Sequence, residues 1–216
     1  MKKRLVIFDL DGTLINSLVE IEYIFNSVLP EYNVEPKKTS FYKKNIGNGI
    51  EDLLQKCLPK NHSLDFNKVL GDIRESYKIN INKYATVFDG IYNVLDTFVK
   101  KNIIITVITN KPHKFAVDSV KFHFGAYKID VIGAGNQFKR KPDPASSIHI
   151  LKKHNMNPNE AIFIGDSIVD IQTAKNAKIT SIGVLWGLGT RSHLELQNPD
   201  YIIKTPSDLC SITTHD

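Results

Sequence analysis

Acidic residues stand directly after two short apolar runs of the sequence, and together they could build a metal and phosphate site. Asp9 and Asp11 follow residues 5–8, and Asp166 and Asp170 follow a second run farther along the chain. Crowded carboxylates resist ionising together unless a cation is present. Oxygen ligands without His or Cys suit Mg²⁺, which keeps several waters and also takes phosphate oxygens from a substrate. These residues therefore predict a magnesium site that receives a phosphate group.

Further polar residues follow the other apolar runs and could hold the phosphate itself. Thr109 and Asn110 come directly after residues 103–108, and Lys141 lies in the loop beyond residues 131–132. An ammonium and a hydroxyl on the equatorial oxygens would stabilise the charge of a phosphoryl-transfer transition state. One carboxylate could attack phosphorus and form an acyl phosphate. A second carboxyl could protonate the leaving oxygen and later activate water.

Each of these features alone has a simpler interpretation. The Asp-x-Asp-Gly run at Asp9 could be a turn or part of a calcium loop, although Ile15 and Leu18 stand where that loop needs oxygens. Thr109 alone could cap a strand end, and the second acidic pair could be a helix cap and a surface acid. Lys141 alone could be a solvated lysine before a helix that begins with proline. All of them at successive strand ends favour a functional site.

The elements that must position these residues have the pattern of a parallel sheet. Short runs rich in β-branched residues recur, apolar on both faces as buried parallel strands are. The runs are residues 5–8, 103–108, 131–132, 161–164, 181–184 and 201–203. Helical stripes lie between the later runs, which favours a doubly wound, mostly parallel α/β sheet with a Rossmann-like core. Ligands of such sheets bind beyond the carboxyl ends of the strands, where the polar residues stand.

The segment between the first two runs is too long for a simple crossover, which needs about a dozen residues or more. Its apolar residues fall on three helical faces. They are Leu18, Ile21, Phe25 and Val28; Ile50, Leu53, Leu54, Cys57 and Leu58; and Phe66, Val69, Leu70, Ile73 and Tyr77. We therefore expect residues 16–84 to form an inserted helical cap domain. Residues 1–15 and 85–216 would form the α/β catalytic core.

Composition narrows the classes of protein to which the chain could belong. The 28 Lys and Arg residues exceed the 23 Asp and Glu residues by a net charge of only +5, and they are spread along the chain. That spread favours a solvated surface over nucleic-acid binding. Cys57 and Cys210 form no metal or redox motif, which indicates reduced thiols. Without a signal peptide or a membrane-spanning stretch, we expect a cytoplasmic monomer or homodimer that acts on a small phosphorylated metabolite.

At these residues the whole chain resembles the haloacid dehalogenase-like hydrolase superfamily, and specifically its phosphatases. The matching motifs are Asp9-x-Asp11-Gly12-Thr13, Thr109, Lys141 and Gly165-Asp166-Ser167-x-x-Asp170. The resemblance implies that Asp9 is the nucleophile and Asp11 the general acid and base. It implies that Mg²⁺ is held by Asp9, the backbone carbonyl of Asp11 and Asp166, with Asp170 in support nearby. Dehalogenases of the superfamily lack the second acid of the first motif, so Asp11 argues for phosphoryl transfer.

The resemblance also implies the phosphate-binding residues and a closing cap. Thr109 and Lys141, with Asn110 beside them, would bind the phosphate, and we expect Gly12 and Thr13 to line the same site. The inserted helices resemble a cap of the first type, which closes over the site and excludes water. Because the core recognises only the phosphate, specificity for the rest of the substrate would come from the cap.

The residues Ile46–Leu53 are similar to a loop of phosphoglycolate phosphatases, which makes 2-phosphoglycolate the best candidate substrate. The same run could equally be a helix end and a turn, which Gly47 and Gly49 suit. Lysines of the insert could meet a second anionic group of the substrate or could be surface charges. They are Lys43, Lys44 and Lys56. Asn16 and the run Val87–Gly90 depart from the common family pattern outside the chemical residues.

Other activities remain open on the same set of residues. A pyrophosphatase, a nucleotidase or a sugar-phosphate mutase could share the core. A receiver domain of a signalling protein also uses Asp, Thr and Lys with Mg²⁺. Receivers are nearer half this length and carry the phosphorylated Asp after a later strand, whereas Asp9 follows the first one.

Overall fold

A parallel sheet forms the centre of the computed structural model, which describes residues 3–212. The strands are β1 (Leu5–Phe8), β2 (Ile15–Asn16), β3 (Thr86–Val87), β4 (Ile104–Pro112), β5 (Ile129–Ala134), β6 (Ala161–Gly165), β7 (Thr180–Val184) and β8 (Tyr201–Ile203). The sheet has the order β5-β4-β1-β6-β7-β8, and each neighbouring pair within it runs parallel. The chain winds from β1 to one edge and then returns past β1 to the other. This arrangement confirms the predicted doubly wound α/β fold.

Helices cover both faces of the sheet. They are α1 (Leu18–Val28), α2 (Thr39–Asn45), α3 (Ile50–Cys57), α4 (Phe66–Asn80), α5 (Ile91–Lys100), α6 (His113–Phe124), α7 (Ala145–Lys153), α8 (Ile168–Asn176), α9 (Arg191–Glu195) and α10 (Asp208–Ile212). Side chains alternate across a strand, so Val6 and Phe8 pack in one core with α5 and α6. Leu5 and Ile7 pack on the other face with α7 and α8. Burial on both faces explains why β1 is apolar throughout.

The segment between β2 and β3 is helical and has an apolar cluster of its own. The buried side chains of α1, α3 and α4 meet there, together with Tyr42 of α2. Helix α4 begins where the Asp65 carboxylate accepts hydrogen bonds from the backbone N–H groups of Asn67 and Lys68. No helix within residues 3–212 is long and apolar enough to cross a membrane.

Strand pairing and ring stacking are among the contacts that join the helical segment to the sheet region. Strands β2 and β3 pair antiparallel at the two places where the chain passes between them. The ring of Tyr77 in α4 stacks on Phe115 of α6, with 5.0 Å between the ring centroids. The helical segment therefore sits beside the carboxyl ends of β1 and β4, where the predicted site residues lie.

Candidate active site

Asp9 lies at the carboxyl end of β1, in the middle of the sheet. Its backbone N–H donates to the Ile164 carbonyl at 2.9 Å, which fixes the residue to the end of β6. The carboxylate oxygen Oδ1 accepts a hydrogen bond from Lys141 Nζ at 2.6 Å. Within residues 3–212, the other oxygen, Oδ2, has no hydrogen-bond donor. One oxygen of Asp9 is thus held in place, and the other is open to a ligand.

The second carboxylate, Asp166, is fixed by groups from two distant parts of the chain. Its Oδ1 accepts a hydrogen bond from the Thr13 hydroxyl at 3.2 Å. Its Oδ2 accepts from the backbone N–H groups of Leu188 at 2.8 Å and Gly189 at 3.2 Å. Gly12 has a φ of +88°, and a Cβ there would collide with this carboxylate. Glycine at position 12 is therefore what allows the Asp9–Thr13 loop to approach Asp166.

Three buried carboxylates converge at this point. Ligand oxygens of Asp9, Asp166 and Asp170 lie within 4.8 Å of one another. Burial raises the pKa of Asp9, and the charges of Asp170 and Asp166 raise it further, although Lys141 opposes them. Burial and Asp170 raise the pKa of Asp166 to about 6. Such crowding of oxygen ligands, without His or Cys in the cluster, fits a hard divalent cation.

Asp170 holds the lysine rather than facing open space. Its side chain is fully buried, and Oδ1 accepts a hydrogen bond from Lys141 Nζ at 2.6 Å. Oδ2 accepts from the backbone N–H of Ser167 at 3.0 Å and from the Ser167 hydroxyl, which closes the capping box that begins α8. Burial lowers the pKa of Lys141, but the charges of Asp170 and Asp9 outweigh it and raise the net value. Lys141 is therefore a fixed ammonium between two carboxylates.

Asn110 connects three parts of the site. Its Oδ1 accepts a hydrogen bond from the Lys141 N–H at 2.9 Å, and its Nδ2 donates to the Lys141 carbonyl at 3.2 Å. The same Nδ2 donates to the Gly47 carbonyl of the helical segment at 3.0 Å. Thr109, the residue before it, is buried, and its hydroxyl accepts from the Lys111 N–H at 3.2 Å. The Asn110 carboxamide thus positions the backbone of Lys141 and the loop between α2 and α3.

Asp11 is paired with a second lysine. Lys111 Nζ lies 3.0 Å from Oδ1 and 3.4 Å from Oδ2 of Asp11. The Lys111 side chain is only 1% exposed, and its ammonium lies 5.3 Å from the centroid of the Tyr77 ring. The pair joins the end of β4 to the loop after β1. It places a buried positive charge beside the carboxylate that the sequence pattern assigns to proton transfer.

Two cavities meet at Asp9 and Asp11. The smaller one, of about 410 Å³ including open solvent, lies between the sheet and the helical segment. Its walls include Thr109 and Lys111 as well as apolar side chains, namely Ile21, Ile46, Ile50 and Leu53 with Tyr77. The larger one, of about 1250 Å³ including open solvent, is lined partly by Lys43 and Lys44 of α2. A ligand on Asp9 can therefore extend into the smaller cavity or into the larger one.

An ion-pair network also crosses from the helical segment to the loop that carries Lys141. Glu51 of α3 is bonded to the guanidinium of Arg140, the residue before Lys141. The other oxygen of Glu51 accepts a hydrogen bond from Arg74 of α4 at 2.8 Å. Arg140 and Asn110 together hold the loop around Gly49 against the sheet.

The residues selected from the sequence lie together at the carboxyl ends of the parallel strands. Those that line the cavities or bond within the cluster are Asp9, Asp11, Thr13, Thr109, Asn110, Lys141, Asp166 and Asp170. Sequence reasoning gave no role to Lys111, although its position directly after Thr109 and Asn110 at a strand end was a usable signal. It also missed the backbone N–H groups of Leu188 and Gly189, which no side-chain pattern could indicate.

Comparisons with known proteins point to one family. A family model described as haloacid dehalogenase-like hydrolase matches residues 6–184. The phosphoglycolate phosphatase of Vibrio vulnificus strain YJ016 is 26% identical over 219 residues, covering 97% of this chain and 95% of that protein. The phosphoglycolate phosphatase of Pseudomonas putida is 28% identical over 211 residues, covering 93% and 76%. A solved haloacid dehalogenase-like hydrolase from Streptococcus pneumoniae superposes with a TM-score of 0.85 at 26% identity, covering 97% and 98%.

Proposed function

The chain belongs to the haloacid dehalogenase-like hydrolase family and is a phosphoric monoester hydrolase, and we propose that it forms a phospho-aspartate at Asp9 during turnover. The observation that carries the proposal is the state of the Asp9 carboxylate. One oxygen is bonded to Lys141 and the other accepts no hydrogen bond within residues 3–212. A carboxylate that is held by one oxygen and open at the other is prepared for attack on phosphorus.

The first half of the reaction transfers the phosphoryl group to the protein. An oxygen of Asp9 bonds to phosphorus, and the bond from phosphorus to the ester oxygen breaks. Asp11 gives its proton to that leaving oxygen. Lys141 and the Thr109 hydroxyl bind the non-bridging oxygens and stabilise the charge of the transition state. Thr13 keeps Asp166 in place, and Gly12 lets the loop after β1 approach it.

The second half regenerates the enzyme. Asp11, now a carboxylate, takes a proton from water, and the water oxygen bonds to phosphorus. The bond between phosphorus and Asp9 breaks, which releases inorganic phosphate and restores the free carboxylate. The Lys111 ammonium, 3.0 Å from Asp11 Oδ1, positions the side chain of Asp11.

The buried acidic cluster would hold a magnesium ion in this mechanism. We assign its ligands to Asp9, the backbone carbonyl of Asp11 and Asp166, with Asp170 in support through Lys141 and Ser167. A bound Mg²⁺ neutralises part of the phosphate charge and of the mutual repulsion of the carboxylates. Burial raises the pKa values of Asp9 and Asp166, and neighbouring carboxylates raise them further, so a divalent cation would stabilise the charged form of both groups.

Helices α1–α4, within residues 16–84, would act as the cap over this site. The loop around Gly47 and Gly49 lines the smaller cavity, and two contacts fix this loop to the sheet region. These are the Asn110 bond to the Gly47 carbonyl and the pair of Arg140 with Glu51. On the sheet side, Asn110 directly follows Thr109 and Arg140 directly precedes Lys141, the two residues assigned to the phosphate. Binding of the phosphate and closure of the loop would therefore favour each other.

The substrate best supported is 2-phosphoglycolate. Relatives that carry this activity in their names match almost the whole chain. The cavity beside Asp9 and Asp11 that Lys111 lines is the smaller of the two, about 410 Å³ against about 1250 Å³, both including open solvent. Such a space suits a leaving group of a few atoms better than a nucleoside.

The test is steady-state phosphate release with Mg²⁺ from 2-phosphoglycolate, pyrophosphate, hexose phosphates and nucleoside monophosphates. We expect the highest kcat/KM for 2-phosphoglycolate, and we expect no phosphate release by the Asp9→Asn variant. Preference for pyrophosphate or a nucleotide would replace the substrate but keep the mechanism. Interconversion of sugar phosphates without phosphate release would make the protein a mutase and refute hydrolysis as its function.

A further inference from the structure

We propose that Lys111 is the residue that recognises a carboxylate of the substrate, inside the smaller cavity and beside the leaving oxygen. The inference rests on the proposed phosphatase function and adds the specificity-determining residue. It also fixes the class of substrate as a short phosphate ester whose alcohol part carries an anionic group one or two carbons from the ester oxygen.

The first observation is that the Lys111 ammonium has more N–H donors than it has acceptors within residues 3–212. Its side chain is 1% exposed, so water does not solvate the ammonium. An ammonium has N–H donors for three acceptors. Within residues 3–212, its only hydrogen-bond acceptors are the two oxygens of Asp11, at 3.0 and 3.4 Å on one carboxylate. A buried charged donor without an acceptor is costly, so a ligand that supplies the acceptor is favoured. Burial raises the pKa of Glu20 and the Lys111 charge opposes this, so Glu20 is a second acidic group near the ammonium, and its Oε1 has no hydrogen-bond partner within residues 3–212.

The second observation is the surroundings of the ammonium. It lies 5.3 Å from the Tyr77 ring, and the cavity that Lys111 lines is otherwise walled largely by Ile21, Ile50 and Leu53. Attraction between charges is stronger in such apolar surroundings than in water. Among the described residues that line this cavity, Lys111 alone carries a positive charge, so it would be the group that selects for a carboxylate.

The third observation is position. Asp9 and Asp11 line the same cavity as Lys111, so the reacting phosphorus and Lys111 adjoin one space. Lys111 touches Asp11, which would protonate the ester oxygen. A group bonded to Lys111 therefore lies close to that oxygen. Carbon–carbon bonds of about 1.5 Å leave room for one or two carbons between them.

Other lysines are poorer candidates for this role. Lys43 and Lys44 line the larger cavity, and both side chains are exposed to solvent. Lys56 is exposed as well and is paired with Asp52 at 2.6 Å. Solvated ammonium groups give an anion little net attraction. A purely structural role for Lys111, as counter-charge to Asp11, remains the alternative that an experiment must separate.

The experiment compares two esters that differ in charge but hardly in shape, 2-phosphoglycolate and its amide, 2-phosphoglycolamide. The measured quantity is the ratio of kcat/KM for the acid to that for the amide, with Mg²⁺, in the wild type and in Lys111→Met. We expect the ratio to fall by about tenfold to a hundredfold, the range that a charge-assisted hydrogen bond of about 1.5–3 kcal/mol supports. Lys111→Arg should keep more of the ratio than Lys111→Met, and the matched control Lys44→Met should keep all of it.

Each outcome decides between the possibilities. A ratio unchanged in Lys111→Met, with both esters slowed equally, would assign Lys111 to holding Asp11 and overturn the inference alone. A fall of this ratio in the Lys44→Met control would place carboxylate recognition in the larger cavity and would also overturn the inference. Wild-type protein that hydrolyses no ester would refute the proposed function, and the inference with it.

A measurement on wild-type protein covers the case in which Lys111→Met does not fold. Inhibition by 3-phosphonopropionate should be at least tenfold tighter than inhibition by propylphosphonate, which lacks the carboxylate. Equal inhibition constants would refute recognition of a carboxylate anywhere in the site.

Discussion

Replacing Asn110 by Ala should damage both the stability and the activity of the protein. Asn110 is 4% exposed, and its carboxamide bonds to the N–H and the carbonyl of Lys141 and to the carbonyl of Gly47. Each such bond contributes about 1 kcal/mol net, and each buried group left without a partner costs about 1–3 kcal/mol. We therefore expect the variant to lose about 3 kcal/mol of unfolding free energy. For a chain of this size that corresponds to a melting temperature lower by about 6–12 °C.

The loss of activity follows from what the carboxamide holds. Without it, the backbone of Lys141 is free to shift, and a displacement of about 1 Å in a site can cost about a hundredfold in rate. The Gly47 loop also loses its bond to the sheet region. We expect kcat/KM for phosphate release to fall by about tenfold to a hundredfold, measured beside thermal unfolding by circular dichroism.

A matched control contacts the same loop from the end of α8. Asn176 is exposed, and its Nδ2 donates to the carbonyl of Pro142, the residue after Lys141, at 2.9 Å. Water can replace that bond, so Asn176→Ala should cost less than about 0.5 kcal/mol and leave kcat/KM within twofold. If Asn110→Ala behaved like this control in both assays, Asn110 would not position the catalytic lysine.

Further predictions concern the cap, the acid and base, the metal and the stability in acid. Glu51→Gln should weaken the bridge to Arg140 and reduce kcat/KM by about fivefold, which is worth about 1 kcal/mol, with a higher KM; unchanged KM would argue against a cap contact. Asp11→Asn should slow turnover by about a hundredfold or more in steady-state assays, and unaltered kinetics would refute its role in proton transfer. Chelation of Mg²⁺ should stop phosphate release and its return should restore it, whereas full activity in chelator would rule out the metal role. Burial raises the pKa of Asp200, but hydrogen bonds from the Ser181 N–H and hydroxyl outweigh it, so the pKa lies below the ordinary 3.8. The carboxylate then stabilises the fold above pH 3.8 and loses this effect as pH falls, so Asp200→Asn should lower the melting temperature at pH 7 but not near pH 2. A difference that grew in acid would contradict this sign.

Much of the fold could be predicted from local sequence because the sheet is buried on both faces. Runs such as residues 5–8 and 161–164 are apolar throughout, and they became β1 and β6. The polar residues that follow them, Asp9 and Asp166, then had to lie close together, because neighbouring parallel strands have their carboxyl ends on the same side of the sheet. Helix α2 gave no such signal, since Tyr42 is its only buried residue within the described range and one position makes no stripe.

The finer structure of the site could not be predicted because it depends on contacts between distant residues. Nothing in the sequence around Asn110 indicates that its carboxamide bonds to the backbone of Lys141. The burial of Lys111 depends on Tyr77, which the chain brings over it from α4. Backbone donors such as the N–H of Leu188 leave no trace in a residue pattern. Tertiary packing therefore decided which polar residues face the cavities and which ones support them.

The most direct test of the account is to look for the phosphorylated aspartate. Protein mixed with Mg²⁺ and 2-phosphoglycolate would be quenched in acid within the first turnover and digested, and the peptides would be measured by mass spectrometry. The account predicts one phosphoryl group on Asp9 of the wild-type protein, more of it in Asp11→Asn, and none in Asp9→Asn. Phosphate release at the normal rate from Asp9→Asn, or a phosphoryl group on another residue, would contradict it.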